Sequence, residues 1–257
     1  MKDVGLITGA SSGIGRALAH EHARRKRDLV VVARREDELR ELAQTLESQY
    51  GVEVRVVAAD LTGAKSRAEL HRFVREEGIR VDYLFNNAGF GGAGMFIDQD
   101  WTMLAGMIEL NITAVTELLH LFLPDMVARR HGRVLNTSST AGFMPGPLQA
   151  VYFATKAYVN SISKALANEV SDSGVTVTAL CPGAVRTEFA ETAGMEGSKL
   201  MEDAATPEST AAQGYTAMEA GRLEVITDLR LNVMIKGLMP LLPDRLTMNM
   251  IKKLQST

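Results

Sequence analysis

Val4-Gly5-Leu6-Ile7-Thr8-Gly9-Ala10-Ser11-Ser12-Gly13-Ile14-Gly15 decides how the chain is read. Val4 to Thr8 is a short apolar run of the buried-strand kind, and it ends in a glycine cluster spaced G-x-x-x-G-x-G. A helical pattern follows, with Ile14, Ala17, Leu18 and Ala23 facing one way. Strand, glycine turn and helix in that order make an anion seat. Glycines let the backbone approach a phosphate closely, and a new helix offers unpaired N–H groups and the positive end of its dipole. Placed at the start of a βαβ unit, the turn points to a dinucleotide.

Outward from this turn, strands and helices alternate. A second apolar run, 29–33, ends in Arg34 and Arg35 with no acidic residue before Glu36. An acidic side chain there would hold a ribose 2′-hydroxyl, whereas arginine accommodates a 2′-phosphate, so the sequence favours NADP(H) over NAD(H). An amphipathic helix is expected over 38–50, a third strand over 52–58 ending at Asp60-Leu61, and a fourth over 81–85 closing on Asn86-Asn87-Ala88-Gly89. Such alternation demands right-handed crossovers and a parallel sheet, with ligands beyond the carboxyl ends of the strands. The polar and glycine clusters all fall at those ends.

The second half carries the chemistry. Tyr152 and Lys156 are four apart and share one helix face. The phenol has an ordinary pKa of about 10, and an ammonium one turn away is expected to draw it towards the working range. Ser139 follows an apolar strand, 133–138, and is placed to polarise one carbonyl beside that pair. Asn111 is a polar residue inside an apolar helical region, 100–126, and reads either as a satisfied core amide or as one that breaks the helix ladder and holds a water. A strand over 175–180 ends in Cys181-Pro182-Gly183. Cys181 has no adjacent base and reads as a packed thiol. Thr206-Pro207 caps a helix to about 220, and 223–227 is a last strand.

Composition sets the outer bounds. The 257 residues have a formal charge of −3, which gives no reason to expect nucleic acid, and one cysteine excludes an internal disulfide. The five histidines lack metal-ligand spacing. The first apolar run is too short for a signal sequence, and no stretch is expected to reach the roughly 20 apolar residues of a membrane span. The expectation is one cytoplasmic domain, 1–257, with no metal.

Taken together, these residues resemble the short-chain dehydrogenases/reductases from Val4 to about Thr227. Thr8 to Gly15 is similar to that family's cofactor turn, Asp60-Leu61 to its adenine contact, and Asn87-Ala88-Gly89 to its ribose-side motif. Pro182-Gly183 with Val185 and Thr187 resembles its nicotinamide-side segment. Asn111, Ser139, Tyr152 and Lys156 fall in its catalytic tetrad. The resemblance implies a Rossmann-type, doubly wound α/β fold of about seven parallel strands with helices on both faces. It implies hydride transfer between NADPH and a carbonyl carbon, with Tyr152 as proton donor and Ser139 orienting the oxygen. Lys156 would bind the nicotinamide ribose and lower the Tyr152 pKa, and Asn111 would hold a water. Gly9, Ser11, Ser12, Gly13, Ile14, Gly15, Arg34 and Arg35 would hold the rest of the cofactor. A dimer or tetramer is expected by the same analogy.

Two segments stand outside the shared pattern. Residues 188–206 have little periodicity and read as a substrate lid. Residues 229–257 form an extra, Met-rich helical extension, with Arg230, Lys236, Arg245, Lys252 and Lys253 against Asp244 alone. They read either as helices packed over the substrate mouth or in a subunit contact, or as a wall for an apolar acyl, isoprenoid-like or steroid-like substrate that also docks transiently on anionic membrane. Two other readings compete: a non-catalytic NADP-binding regulator, which needs no tyrosine–lysine pair, and an epimerase or dehydratase, which needs a larger carboxyl-terminal domain.

Overall fold

The computed structural model describes residues 1–189 and 203–255, so most of the expected lid, 190–202, lies outside the described residues. Seven parallel strands form one sheet in the order β3-β2-β1-β4-β5-β6-β7. They are β1 Val4–Thr8, β2 Leu29–Ala33, β3 Val54–Ala58, β4 Val81–Asn86, β5 Gly132–Thr137, β6 Val175–Cys181 and β7 Glu224–Ile226. The order reverses between β1 and β4, which opens a crevice at the carboxyl edge. This is the doubly wound Rossmann-type fold expected.

Period-two alternation divides the core. Ile7, Val31, Phe85 and Leu135 point to one face, where they meet α1 Gly13–Ala23, α2 Glu36–Tyr50 and a helix at Pro207–Glu219. Leu6, Val30, Val32, Leu84 and Val134 point to the other, against α3 Ala64–Glu76, α5 Val115–Arg129 and α6 Ala150–Glu169. Leu18, Leu39, Leu84 and Leu135 are fully buried. Truncating any of them to alanine should cost about 2–5 kcal/mol.

One local expectation needs correction. A continuous helix from Trp101 to Arg129 is long and apolar enough, by length and composition, to cross a membrane. The apolar count along the sequence missed it because polar residues interrupt the run. Its Leu118, Leu119, Phe122 and Met126 are buried in the core against α3 and the sheet, as a core helix of a folded domain requires. The same helix widens into a π turn at Glu109–Ala114, between α4 Trp101–Ile108 and α5. Asn111 sits in that turn, so the ladder does break there.

After β7 the extension is helical as expected: a short helix Leu229–Val233, a π turn Met234–Leu238, a 3-10 turn Met239–Leu241 and a last helix Asp244–Gln255. Asp228 caps its start, accepting from Arg230 N at 2.7 Å and Leu231 N at 3.1 Å.

Candidate active site

The site begins at the end of β1. Thr8 Oγ1 donates to Phe85 O (3.2 Å) and accepts from the backbone N–H groups of Asn87 (2.9 Å) and Ala88 (3.0 Å). The Asn87 amide donates to Thr8 O at 3.0 Å, and its oxygen accepts from Thr137 Oγ1 at 3.2 Å. One side chain thereby ties the ends of β1, β4 and β5. Gly15 belongs to the same packing. A Cβ there would stand 2.1 Å from Gly9 O and 2.5 Å from Asn87 Nδ2, so only glycine fits. Gly13 has φ +54°, and the Thr187 methyl lies where its Cβ would contact it.

The turn is built for an anion. Ser12 is the N-cap of α1 but makes no side-chain cap, and the first turn of α1 holds no acidic residue. A carboxylate from elsewhere stands near it. Arg35 Nη2 reaches Ser11 Oγ at 3.2 Å and Glu188 Oε2 at 2.9 Å. Arg35 and a hydrogen bond from Ser12 hold the Glu188 carboxyl below the usual carboxylate range. Arg34 is exposed at the end of β2. Thr62, through its backbone N–H at 3.0 Å and its hydroxyl at 2.8 Å, holds the Asp60 carboxyl low, and Arg34 adds to the effect. A seat that already draws in a carboxylate fits a phosphorylated dinucleotide.

Across the crevice, the end of β5 and α6 bring Ser139, Tyr152 and Lys156 together. Ser138 Oγ donates to Lys156 O at 2.9 Å, and a Cβ at Gly142 would meet Asn160 Nδ2 at 2.4 Å, so strand end and helix are in close contact. Ser139 Oγ accepts from Ala141 N at 3.1 Å, donates to Pro182 O at 3.4 Å, and stands beside the Tyr152 phenol. Burial pushes the Tyr152 phenol up to about 12, and the Ser139 contact opposes this. Burial lowers Lys156 to about 8, against a small upward pull from Cys181.

The expected control of the phenol by Lys156 is corrected here. The Lys156 ammonium turns to Thr137 O at 2.9 Å and lies 5.8 Å from the Tyr152 ring centre. The carbonyl at the end of β5 competes for it, and burial governs the phenol. Cys181 is a packed thiol, as read: it is fully buried, hydrogen-bonded to Asn160 at 3.2 Å, and pushed up to about 12 by burial.

A cleft of about 680 Å³ joins the two halves. Lining it are Gly9, Ser11, Ser12, Gly13, Ile14, Arg34, Arg35, Asp60, Leu61, Asn87, Ala88, Gly89, Ser139, Tyr152, Lys156, Pro182, Gly183, Val185 and Thr187. Two of the candidate residues do not line it. Gly15 lies behind the turn. Asn111 lies behind Gly89, where it accepts from Phe90 N (3.2 Å) and donates to Phe90 O (2.9 Å) and Thr155 Oγ1 (3.1 Å). Its amide is committed to positioning that loop. The Met-rich extension does reach the cleft, with Leu231, Met234, Met239, Met250 and Ile251 on its wall.

Some contacts were missed from the sequence. Thr137 anchors Lys156, and Phe189 packs on Tyr152 at 5.3 Å between ring centres. Residues 35 and 188 are 153 apart, so no local spacing could have paired them. Among the described residues no group of His, Cys, Asp or Glu could hold a metal ion.

Comparison with known proteins agrees with this geometry. The family model described as short chain dehydrogenase matches residues 3–196. An uncharacterized oxidoreductase of Staphylococcus epidermidis is 34% identical over 188 residues, covering 73% of this chain and 80% of that protein. The very-long-chain 3-oxoacyl-CoA reductase of Anas platyrhynchos is 35% identical over 211 residues; the match covers 79% of this chain but only 65% of the duck protein. A solved short-chain dehydrogenase from Sphingobium yanoikuyae, in complex with NADPH, superposes with a TM-score of 0.85 at 34% identity, covering 99% of this chain and 98% of that one. With the sheet order, the glycine turn and the Ser139–Tyr152–Lys156 cluster already in place, these matches settle the family: the chain belongs to the short-chain dehydrogenases, a family of oxidoreductases.

Proposed function

We propose that this chain is an NADP(H)-dependent oxidoreductase that reduces a ketone on a long apolar substrate, or oxidises the matching secondary alcohol. One observation carries the reading. A single cleft runs from the glycine turn, past the Ser139 and Tyr152 hydroxyls, to a wall of methionine and branched aliphatic side chains. The NADPH bound to the Sphingobium relative and the acyl-CoA substrate in the duck relative's name support it.

The bound cofactor would supply hydride. The chain's own residues would do the rest. Ser139 and Tyr152, side by side on the cleft wall, would converge on one carbonyl oxygen. At about 12, the Tyr152 phenol keeps its proton near neutrality and gives it up as that oxygen gains negative charge. Its burial is useful here, because a proton donor must not ionise before the substrate needs it. Lys156, anchored on Thr137 O, offers a cation to nearby ribose hydroxyls. Asn111 acts through Phe90, holding the loop that faces Tyr152. Arg34 and Arg35 give the adenosine end its preference for a 2′-phosphate.

The test is NADPH oxidation with ketones of increasing acyl length, alongside Tyr152→Phe. Expected are turnover that improves with chain length, and a variant that binds NADPH but does not turn over. Ile251→Trp, which fills the far wall, should move the preference to shorter chains. A protein that binds NADPH and reduces nothing across the series would be read instead as a regulator.

A further inference from the structure

We infer that Glu188 is an internal counter-anion seated where the cofactor's phosphate must go, so that cofactor entry proceeds by exchange of one anion for another. This rests on the dinucleotide site proposed above and adds a residue to it.

The argument starts from electrostatics. A helix N-terminus with no acidic residue in its first turn attracts negative charge, and α1 is such a helix. The charge that answers it comes from the segment after β6. The Glu188 carboxylate stands beside Ser12, the N-cap of α1, and is gripped by Arg35 at 2.9 and 3.3 Å. The Arg35 guanidinium also reaches Ser11 and lies 3.6 Å from Glu38. These are the hydroxyls and the guanidinium on which a phosphate would draw. A phosphate and this carboxylate cannot both take the same donors, and at close range they repel.

The backbone around Glu188 is laid onto the same turn. The Thr187 methyl packs over Gly13, and Thr187 Oγ1 accepts from Phe189 N at 3.3 Å. Phe189 in turn covers the Tyr152 ring, and its own ring stands where a Cβ at Gly91 would be. One three-residue stretch therefore covers the phosphate seat with a carboxylate and the proton donor with a phenyl ring. Displacing Glu188 would draw Phe189 away from Tyr152, so that filling the cofactor site clears the way to the phenol.

The experiment is a fluorescence titration of the full chain with NADPH and NADH, for wild type and Glu188→Gln, with thermal unfolding in inorganic pyrophosphate as a second readout. Glu188 is exposed and the glutamine is isosteric, so folding should hold, and the unfolding curve without ligand checks it. Removing the competing charge should tighten NADPH binding about two- to five-fold, the scale of an exposed ion pair. Pyrophosphate should stabilise the variant more than the wild type. Unchanged NADPH binding by Glu188→Gln, or weaker binding, overturns the inference while leaving the proposed function standing; weaker binding would mean that Glu188 straps the bound cofactor. A wild type that binds neither nucleotide overturns both.

Discussion

Replacing Lys156 by methionine should make this protein more stable and leave it inactive. Lys156 is only 5% exposed, and burial drags its pKa from 10.5 to about 8. The sign follows from linkage. Between those two values the unfolded chain holds a proton that the folded chain does not, so stability rises with pH across the window. Below pH 8 both states are charged and the full cost of burying the ammonium is carried. At pH 7 that cost is about 3 kcal/mol, and by pH 10 it is about 1 kcal/mol. Methionine removes it but leaves Thr137 O without its donor, which returns about 1 kcal/mol. The net gain should be about 2 kcal/mol at pH 7 and should vanish towards pH 10. Urea unfolding of both proteins from pH 6 to pH 10 measures it, and taking the difference cancels the other titrating groups. A variant that is less stable than wild type at pH 7, or a difference that does not change with pH, would refute the reasoning. The same variant should lose ketone reduction, because no cation is then offered to the cofactor's ribose hydroxyls.

Three further outcomes can be checked directly. Arg34→Asp should weaken NADPH binding about tenfold or more while sparing NADH, since a charge-assisted contact to phosphate is lost and a repulsion gained; equal weakening of both would remove Arg34 from cofactor choice. His22 is fully buried between Tyr215 OH (2.8 Å) and Asp3 O (2.9 Å), and burial lowers its pKa from 6.5 to about 3. Its contribution is complete above pH 6.5 and is lost as pH falls, by about 3 kcal/mol at pH 4; His22→Gln should flatten that slope of stability against pH. Asn111→Ala should strand both backbone groups of Phe90 and cost about 1–3 kcal/mol, visible as a lower unfolding temperature and faster exchange of the Phe90 amide.

What was legible in the sequence was whatever repeats locally. The strands were visible because buried parallel strands are continuous apolar runs; β1 and β2 match the expected ranges, and the other five differ by a residue or two at their ends. The Tyr152 and Lys156 pair was visible because four residues make a helical turn. The π turn at Asn111 was foreshadowed by one polar residue in an apolar run. What stayed hidden depends on long-range contact. Lys156 turns away from the phenol because the Thr137 carbonyl lies behind it, and that carbonyl is placed by β5, which the spacing of α6 does not describe. Helix Trp101–Arg129 escaped the membrane criterion on the sequence because Glu109, Asn111 and Glu117 interrupt its apolar run.

The weakness of the Arg35–Glu188 pair is part of its logic. Both side chains are substantially exposed, so the pair is worth about 0–1 kcal/mol. A buried bridge would hold the seat too firmly for any ligand to open it, whereas an absent one would leave the end of α1 and two arginines drawing indiscriminately on small anions. An exposed carboxylate does neither. It satisfies the turn at small energetic cost and yields to a group that offers more charge and more acceptor oxygens. A phosphate meets that condition through bidentate contact with arginine and hydrogen bonds at the helix end. A lone carboxylate in solution offers no more charge than Glu188 and must also be ordered from bulk. The arrangement therefore favours phosphorylated ligands over simple organic acids before any base or sugar is read.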